Sequence, residues 1–291
     1  MPRTPKPWSP DFFKRTFLQD THAALSRVYS YTKEAVIQCS YMDEDGQWRK
    51  LALAPLEAAI VFDGSHPAPE IVERGQRAMH VEVWNEDCLY AAKRIIETEG
   101  ARPLVLNMAS FRNPGGGVDG GAGAQEEDLF RRSNYMMSLN PIRFEAYPLH
   151  VSEGAIVSGN VTVFREGKDK GYQFMQHPFQ VDFIAVAAQH LPDGTRSLTT
   201  QQRELLSHKV RVLLRAAYAT GHTHLVLSAL GCGAFHNPPA EVADIFANVF
   251  KEAEFAGNFE HIVFAIIDDH NARGEGNYAP FKRAFQTRTN L

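Results

Sequence analysis

The part of the chain most suited to chemistry is a glycine-rich segment that ends in two carboxylic acids. It runs from Asn113 to Glu127 and reads NPGGGVDGGAGAQEE. Glycine has no side chain to obstruct the backbone, so successive N–H groups can form a concave site for an anion. A helix that begins near Gln125 would direct the positive end of its dipole to the same place. The segment therefore predicts a site for a diphosphate.

The adjacent acids Glu126 and Glu127 predict a second kind of chemistry beside the anion. Consecutive helical residues point about 100° apart, so the two carboxyl groups cannot do the same work. One can hold a sugar hydroxyl while the other donates a proton and takes it back. Cleavage of a glycosidic bond requires such a proton donor. The pair therefore indicates a glycoside-cleaving site.

The spacing of this segment resembles the signature of a known family. Three glycines, seven residues and QEE match the poly(ADP-ribose) glycohydrolases, which carry GGG, six to eight residues and QEE. The preceding Asn113-Pro114 and the following Arg132-Ser133 look most like the compact bacterial and fungal branch. The resemblance implies a macrodomain, a three-layer α/β/α fold with a mixed central sheet. It also implies hydrolysis of ribose–ribose O-glycosidic bonds in poly(ADP-ribose), with release of ADP-ribose.

The resemblance assigns roles to residues of this chain. Glu127 would protonate the leaving ribose oxygen and then activate water, and Glu126 would hold the ribose hydroxyls. Asn113 and Gln125 would help to position the sugar. The substrate-binding glycines of the first loop would be Gly115, Gly116 and Gly117.

A second glycine-rich turn lies far along the chain, between the strand pattern of Thr223 to Ala229 and an amphipathic helix. Asn237 is a suitable N-cap and Pro238 a suitable first helical residue. In the resembling family this turn is the diphosphate loop, and its aromatic residue packs against the distal ribose. The corresponding residues here are Gly231, Cys232, Gly233, Ala234 and Phe235.

Structural explanations compete with these roles. Gly115, Gly117 and Gly120 satisfy the G-x-G-x-x-G pattern of dinucleotide-binding folds, and such a run can also be a flexible linker. Asn113 before a proline is often a turn residue, and Gln125 can act in a helix cap. The ring of Phe235 can belong to the core. These alternatives remain open from the sequence.

Two other functions share the same motifs. A macrodomain reader would bind ADP-ribose without cleaving it, although it would not need the acid pair. A hydrolase of singly ADP-ribosylated protein or nucleic acid would share both loops, and only an assay on defined substrates would distinguish it. The expected partners are therefore poly(ADP-ribose) or ADP-ribosylated protein, with ADP-ribose as the product ligand.

Composition limits the other partners. The 291 residues carry a formal net charge of −4 and have a pI near 6.3. Sequence-specific binding of nucleic acid is not expected, because it depends on clustered Lys and Arg. No apolar run approaches the roughly 20 residues that span a bilayer, and the first residues lack the apolar stretch of a signal peptide. We expect a cytoplasmic monomer without membrane contact.

The three cysteines and twelve histidines invite a metal hypothesis. Cys39, Cys88 and Cys232 are too widely separated for a disulfide framework or a metal site. His222 and His224 would project to the same side of a strand, but no Cys or carboxylate cluster accompanies them. The sequence predicts no metal and no cofactor.

The remaining elements must position the two loops. Helical spacing dominates from Ser9 to about Ser40, and residues 1–75 are predicted to be an accessory helical region packed on a catalytic domain of residues 76–291. From His80 onward strands and helices alternate, which predicts a sheet covered by helices on both faces. Ligands of such sheets gather at the carboxyl ends of the strands. Both glycine loops are therefore expected to face one crevice.

Overall fold

The computed structural model describes residues 7–72, 75–268 and 274–286. The strands are β1 (Ser40–Met42), β2 (Trp48–Lys50), β3 (Ile60–Phe62), β4 (His80–Trp84), β5 (Leu104–Met108), β6 (Ala155–Arg165), β7 (Phe174–Val186), β8 (His224–Leu227) and β9 (His261–Ala265). The α-helices are α1 (Pro10–Gln19), α2 (Thr21–Gln38), α3 (Cys88–Glu99), α4 (Gln125–Arg132), α5 (Met136–Leu139), α6 (Arg143–Ala146), α7 (Thr200–Ala219), α8 (Pro239–Val249) and α9 (Tyr278–Gln286).

A mixed sheet of seven strands is the central element. Its strand order is β3-β6-β7-β5-β8-β9-β4, and β1 and β2 form a separate antiparallel pair. Strand β5 pairs in parallel with β7 and β8, and β9 pairs in parallel with β8 and β4. At the other edge, β3 is antiparallel to its neighbour, β6. This confirms the predicted α/β fold with a mixed sheet flanked by helices.

Both faces of the sheet are covered. Leu104 and Leu106 of β5 belong to a hydrophobic cluster that includes buried side chains of α7 and α8. Val105 lies between them in sequence, so its side chain points to the opposite face, and it is also fully buried. Helix α3 contacts β5, β8 and β9. None of the described helices is long and apolar enough to span a membrane.

Two compact units are interleaved along the chain. The first consists of Met1–Ala58, Asn113–Glu145 and Ser158–Gln180, and the second of Ala59–Arg112, Ala146–Val157 and Val181–Leu291. These bounds do not follow the predicted division between residues 75 and 76. The predicted accessory region and catalytic domain also include residues 1–6, 73–74, 269–273 and 287–291, which lie outside the described residues.

The interleaving has a physical cause in the first unit. The indole N–H of Trp8 donates to the carbonyl oxygen of Gly171 at 3.1 Å. The ring of Phe13 meets that of Tyr172 edge-on, with centroids 5.2 Å apart. The apolar side chains of the N-terminal helices are thus buried against residues more than a hundred positions away. Contacts of this kind place the helices with the middle of the chain.

The predicted helical stretch from Ser9 to Ser40 is two helices. Asp20 separates them: its backbone N–H donates to the carbonyl of Thr16 at 2.7 Å, and its carboxylate accepts from the N–H of Ala23 at 3.0 Å. One aspartate therefore ends α1 and caps α2. The sequence period alone does not mark this break, because the apolar residues continue on both sides of it.

The sequence pattern predicts helices from Asp87 to Glu99 and from about Ser197 to Thr220, and the bounds of α3 and α7 differ from these by at most three residues. Asp87 is the N-cap of α3, because its carboxylate accepts from the N–H groups of Leu89 and Tyr90 at 3.0 and 3.1 Å. Helix α7 begins after Thr199, which forms a capping box with Gln202. The sequence also predicts one apolar stripe on this helix, and its residues are all buried: Leu206, Val210, Leu213, Leu214 and Ala217.

Lys209 on α7 should destabilise the fold near neutral pH. It is 3% exposed, and burial lowers its pKa from 10.5 to about 8, with the charge of Glu153 opposing the shift. The unfolded state therefore binds more protons between pH 8 and 10.5, so the free energy of unfolding rises with pH over that range. We expect Lys209→Met to raise the free energy of unfolding by about 2 kcal/mol at pH 7.

Urea unfolding at pH 7 and at pH 10 measures this effect, which should shrink at the higher pH because Lys209 is then largely neutral in the folded state. Lys251→Met, at an exposed position, is the control and should change little. An equal gain at both pH values would show that the gain comes from packing and not from the charge.

Candidate active site

Two of the three glycines after β5 hold the two glutamates that open α4. The N–H of Gly115 donates to Oε1 of Glu126 at 3.1 Å, and the N–H of Gly117 donates to Oε1 of Glu127 at 3.0 Å. The N–H of Gly116 donates to the carbonyl of Asn113 at 3.2 Å. The amides of Gly115 and Gly117 therefore position the two carboxyl groups. The predicted contact of Gly115, Gly116 and Gly117 with a diphosphate stays a prediction.

The two oxygens of the Glu127 carboxyl group lie in different surroundings. Oε1 has its amide donor, whereas Oε2 is buried and has no hydrogen-bond partner among the described residues. Leaving a buried polar atom unpaired costs about 1–3 kcal/mol, and such atoms in native proteins often mark functional sites. The arrangement fixes the carboxyl group through one oxygen and leaves the other buried without a partner in the described part of the chain.

Glycine is required at position 116 on two grounds. Its φ of +53° lies in the left-handed region, which residues with a Cβ rarely adopt. A Cβ at this position would lie 2.5 Å from Oε1 of Glu127 and 3.2 Å from Oε2 of Glu126. The backbone of the loop therefore approaches both carboxyl groups more closely than any side chain would allow.

Helix α4 is fixed by contacts that the sequence does not predict. Nε of Arg131 donates to the carbonyl of Leu25 at 3.0 Å, and its Nη2 donates to the carbonyl of Ala122. The hydroxyl of Thr32 donates to the carbonyl of Arg131 at 2.6 Å. The fully buried Arg131 thus forms hydrogen bonds with both α2 and the glycine-rich segment. This contact restrains the helix that carries the acids.

A second arginine on α4 forms a small polar network. Nη1 of Arg132 lies 3.0 Å from Oδ2 of Asp128, one helical turn before it. Oδ1 of Asp128 accepts from the hydroxyl of Tyr172 at 2.6 Å. The spacing of the acid and the arginine by four residues is the one sequence signal for this network.

Asn113 and Gln125 lie at the two ends of the segment. The side chain of Asn113 is exposed, and Gln125 is half-buried as the first residue of α4. The N-cap of α4 is Ala124, which makes no side-chain cap, so Gln125 is not the N-cap. Their predicted contact with a sugar stays a prediction.

The second glycine loop, after β8, is closed by the side chain of Asn237. Its Nδ2 lies 2.8 Å from the carbonyl oxygen of Gln189, 3.0 Å from that of Gly231 and 3.2 Å from that of Phe235. The prediction that Asn237 caps the next helix is therefore wrong by one residue. Helix α8 begins at Pro239 with Pro238 as its N-cap, because the Asn237 amide is committed to the loop.

Three successive amides of this loop are uncommitted. The N–H groups of Gly233, Ala234 and Phe235 donate to no acceptor in the described part of the chain. Gly233 and Ala234 are exposed, and α8 begins at Pro239, four residues after Phe235. Adjacent free amides before a helix N-terminus suit an anion. Phe235 is half-buried and packs on the main hydrophobic cluster, so its ring is part of the core packing.

Cys232 of this loop is a packing residue. It is 3% exposed, and burial raises the pKa of its thiol well above the usual range. The reactive thiolate is therefore disfavoured. His222 and His224 are paired with carboxylates, at 2.8 Å from Asp182 and 3.2 Å from Glu99. Within the residues described, no three Cys, His, Asp or Glu side chains are arranged to hold a metal.

Comparison with known proteins identifies relatives of this chain. The family model described as the catalytic domain of microbial-type PARG, or poly(ADP-ribose) glycohydrolase, matches residues 30–166. Poly(ADP-ribose) glycohydrolase from Thermomonospora curvata, solved with the inhibitor ADP-HPD, is 30% identical with a TM-score of 0.76, over 90% of this chain and 100% of that one.

A second solved structure agrees with the first. Poly(ADP-ribose) glycohydrolase from Deinococcus radiodurans, in complex with ADP-ribose, is 33% identical with a TM-score of 0.63, over 74% of this chain and 86% of that one. A search of curated protein sequences finds no match.

Proposed function

Because this chain belongs to the microbial-type poly(ADP-ribose) glycohydrolases, we propose that it hydrolyses the ribose–ribose O-glycosidic bonds of poly(ADP-ribose) and releases ADP-ribose. The observation that supports this most directly is the environment of Glu127. Its Oε1 is held by the amide of Gly117, while its buried Oε2 has no partner among the described residues. A glycosidase needs an acid that is fixed in place yet free to transfer a proton.

Glu127 carries the proton in this mechanism. Its Oε2 donates the proton to the oxygen that leaves as the bond to the anomeric carbon breaks. The resulting carboxylate then accepts a proton from the water that attacks the same carbon, which restores the acid. Glu126, held by the amide of Gly115, binds the ribose hydroxyls beside that bond. Asn113 and Gln125 help to orient the sugar.

The loop from Gly231 to Phe235 supplies the anion recognition. Its free amides at Gly233, Ala234 and Phe235 bind the diphosphate of the terminal ADP-ribose, and Phe235 packs against the ribose. The negative diphosphate and the Glu126 carboxylate stabilise the positive charge that develops on the sugar in the transition state. Binding of the diphosphate by the loop and proton transfer by Glu127 together account for the proposed reaction.

Product analysis tests the proposed activity. The full chain is incubated with poly(ADP-ribose) and, separately, with a protein that carries a single ADP-ribose, and the products are identified by mass spectrometry. We expect ADP-ribose to be released from the polymer. An intact polymer together with measurable ADP-ribose binding would indicate a reader. Release from the singly modified protein alone would indicate a mono-ADP-ribosyl hydrolase.

A further inference from the structure

The segment Gln189 to Leu191 is joined to the second glycine loop along its length. Besides the Asn237 contact with the carbonyl of Gln189, the N–H of Leu191 donates to the carbonyl of Phe235 at 3.0 Å. His190, between these two anchor points, is exposed, and its ring centroid lies 5.3 Å from that of Phe235. A histidine outside the glycine motif is therefore held beside the loop.

His236 also lies beside the loop, and its backbone is strained. Its φ of +57° is left-handed, and its N–H closes a turn onto the carbonyl of Gly233 at 3.0 Å. Glycine would adopt this conformation without the steric cost that a Cβ adds. The ring of His236 lies edge-on to that of His190, with centroids 5.9 Å apart. Strain retained beside a binding loop points to a role for the side chain.

The nearest carboxylate does not account for the strain. Nδ1 of His236 lies 3.7 Å from Oδ1 of Asp193, which is beyond hydrogen-bond distance. The Asp193 side chain is 64% exposed. Exposed ion pairs of this kind contribute little to stability. The two histidines instead lie next to the only run of free amides in the loop, where their ring N–H groups can donate to an anion.

We infer that His190 and His236 are further binding residues for the diphosphate of the ADP-ribose ligand, which rests on the proposed function. The free amides of Gly233 to Phe235 bind phosphate oxygens as neutral donors. The imidazoles add two ring N–H donors, and hydrogen bonds to an ionised phosphate are about twice as strong as bonds between neutral groups. The diphosphate site thus contains both the backbone amides of the loop and two imidazole rings.

Calorimetric titration of the full chain with ADP-ribose tests the inference. His190→Ala and His236→Ala should each weaken binding about tenfold, as expected for the loss of a charge-assisted hydrogen bond. The matched control is His66→Ala, because Nδ1 of His66 also lies 3.7 Å from an aspartate oxygen, that of Asp63. The control should leave the affinity unchanged. ADP, which carries the same diphosphate, should show the same losses.

His236→Gly separates a binding role from a structural one. Removing the side chain relieves the left-handed strain, so the thermal midpoint should rise by about 2 °C. The affinity for ADP-ribose should nevertheless fall as in the alanine variant. A stabilised protein with unchanged affinity would overturn the inference.

The remaining outcomes are also decisive. If the wild-type chain binds ADP-ribose and both alanine variants bind it with affinities within about twofold of the wild-type value, the histidine roles are refuted and the proposed function stands. Losses seen with ADP-ribose but not with ADP would place the contacts on the ribose and refute the diphosphate assignment. A wild-type chain that does not bind ADP-ribose would refute the proposed function, and the inference with it.

Discussion

Glu127→Gln is expected to lower the turnover of poly(ADP-ribose) by about 10³-fold, within the range found for a lost general acid. Glutamine keeps the carbonyl oxygen that accepts from the N–H of Gly117, so the side chain stays in place. It has no acidic proton to give to the leaving oxygen. The affinity for ADP-ribose should therefore remain within about threefold of the wild-type value. Steady-state kinetics and calorimetry measure the two quantities.

The thermal midpoint is the control for Glu127→Gln, since a midpoint within a few degrees excludes unfolding as the cause. Glu126→Gln is the comparison at the adjacent position. In the proposed mechanism its carboxylate binds the sugar and transfers no proton, so we expect a smaller fall in turnover together with weaker substrate binding. Turnover retained by the Glu127 variant would remove it from the role of acid.

The order of secondary structure could be predicted from the sequence because local signals define it. The apolar stripe from Leu206 to Ala217 and the apolar run of β5, Leu104–Met108, are local patterns that a short stretch of sequence contains in full. The family resemblance was also readable, since it rests on the fixed spacing of GGG and QEE, and it is confirmed. Such features need no knowledge of what lies elsewhere in the chain.

The contacts that position the acids could not be predicted in the same way. Arg131 donates to the carbonyl of Leu25, 106 residues earlier, and backbone acceptors leave no trace in the sequence. The strain at His236 is a backbone torsion that residue types alone do not reveal. The glycine run predicts backbone amides that are open to an anion. In the structure the amides of Gly115 and Gly117 donate to the chain's own glutamates, because a carboxylate oxygen is also a suitable acceptor.

Gly116→Ala should reduce turnover by about 10²-fold even though it adds a single methyl group. The new Cβ would lie 2.5 Å from Oε1 of Glu127, so the carboxyl group must move away from the Gly117 amide. A shift of about 1 Å in a catalytic group can cost this much rate. The left-handed φ of +53° adds a backbone strain of about 1 kcal/mol.

Gly46→Ala isolates the effect of the carboxyl group from that of the strain. Gly46 has a φ of +74°, and no atom lies within 4 Å of the point that a Cβ would occupy, so alanine there brings the same kind of strain without a clash. Both variants should lose similar stability in urea unfolding, and only Gly116→Ala should lose turnover. Equal losses of turnover would mean that strain alone impairs the enzyme. Full activity of Gly116→Ala would mean that the position of the Glu127 carboxyl group is not fixed by the glycine loop, because the acid would then tolerate displacement from its amide donor.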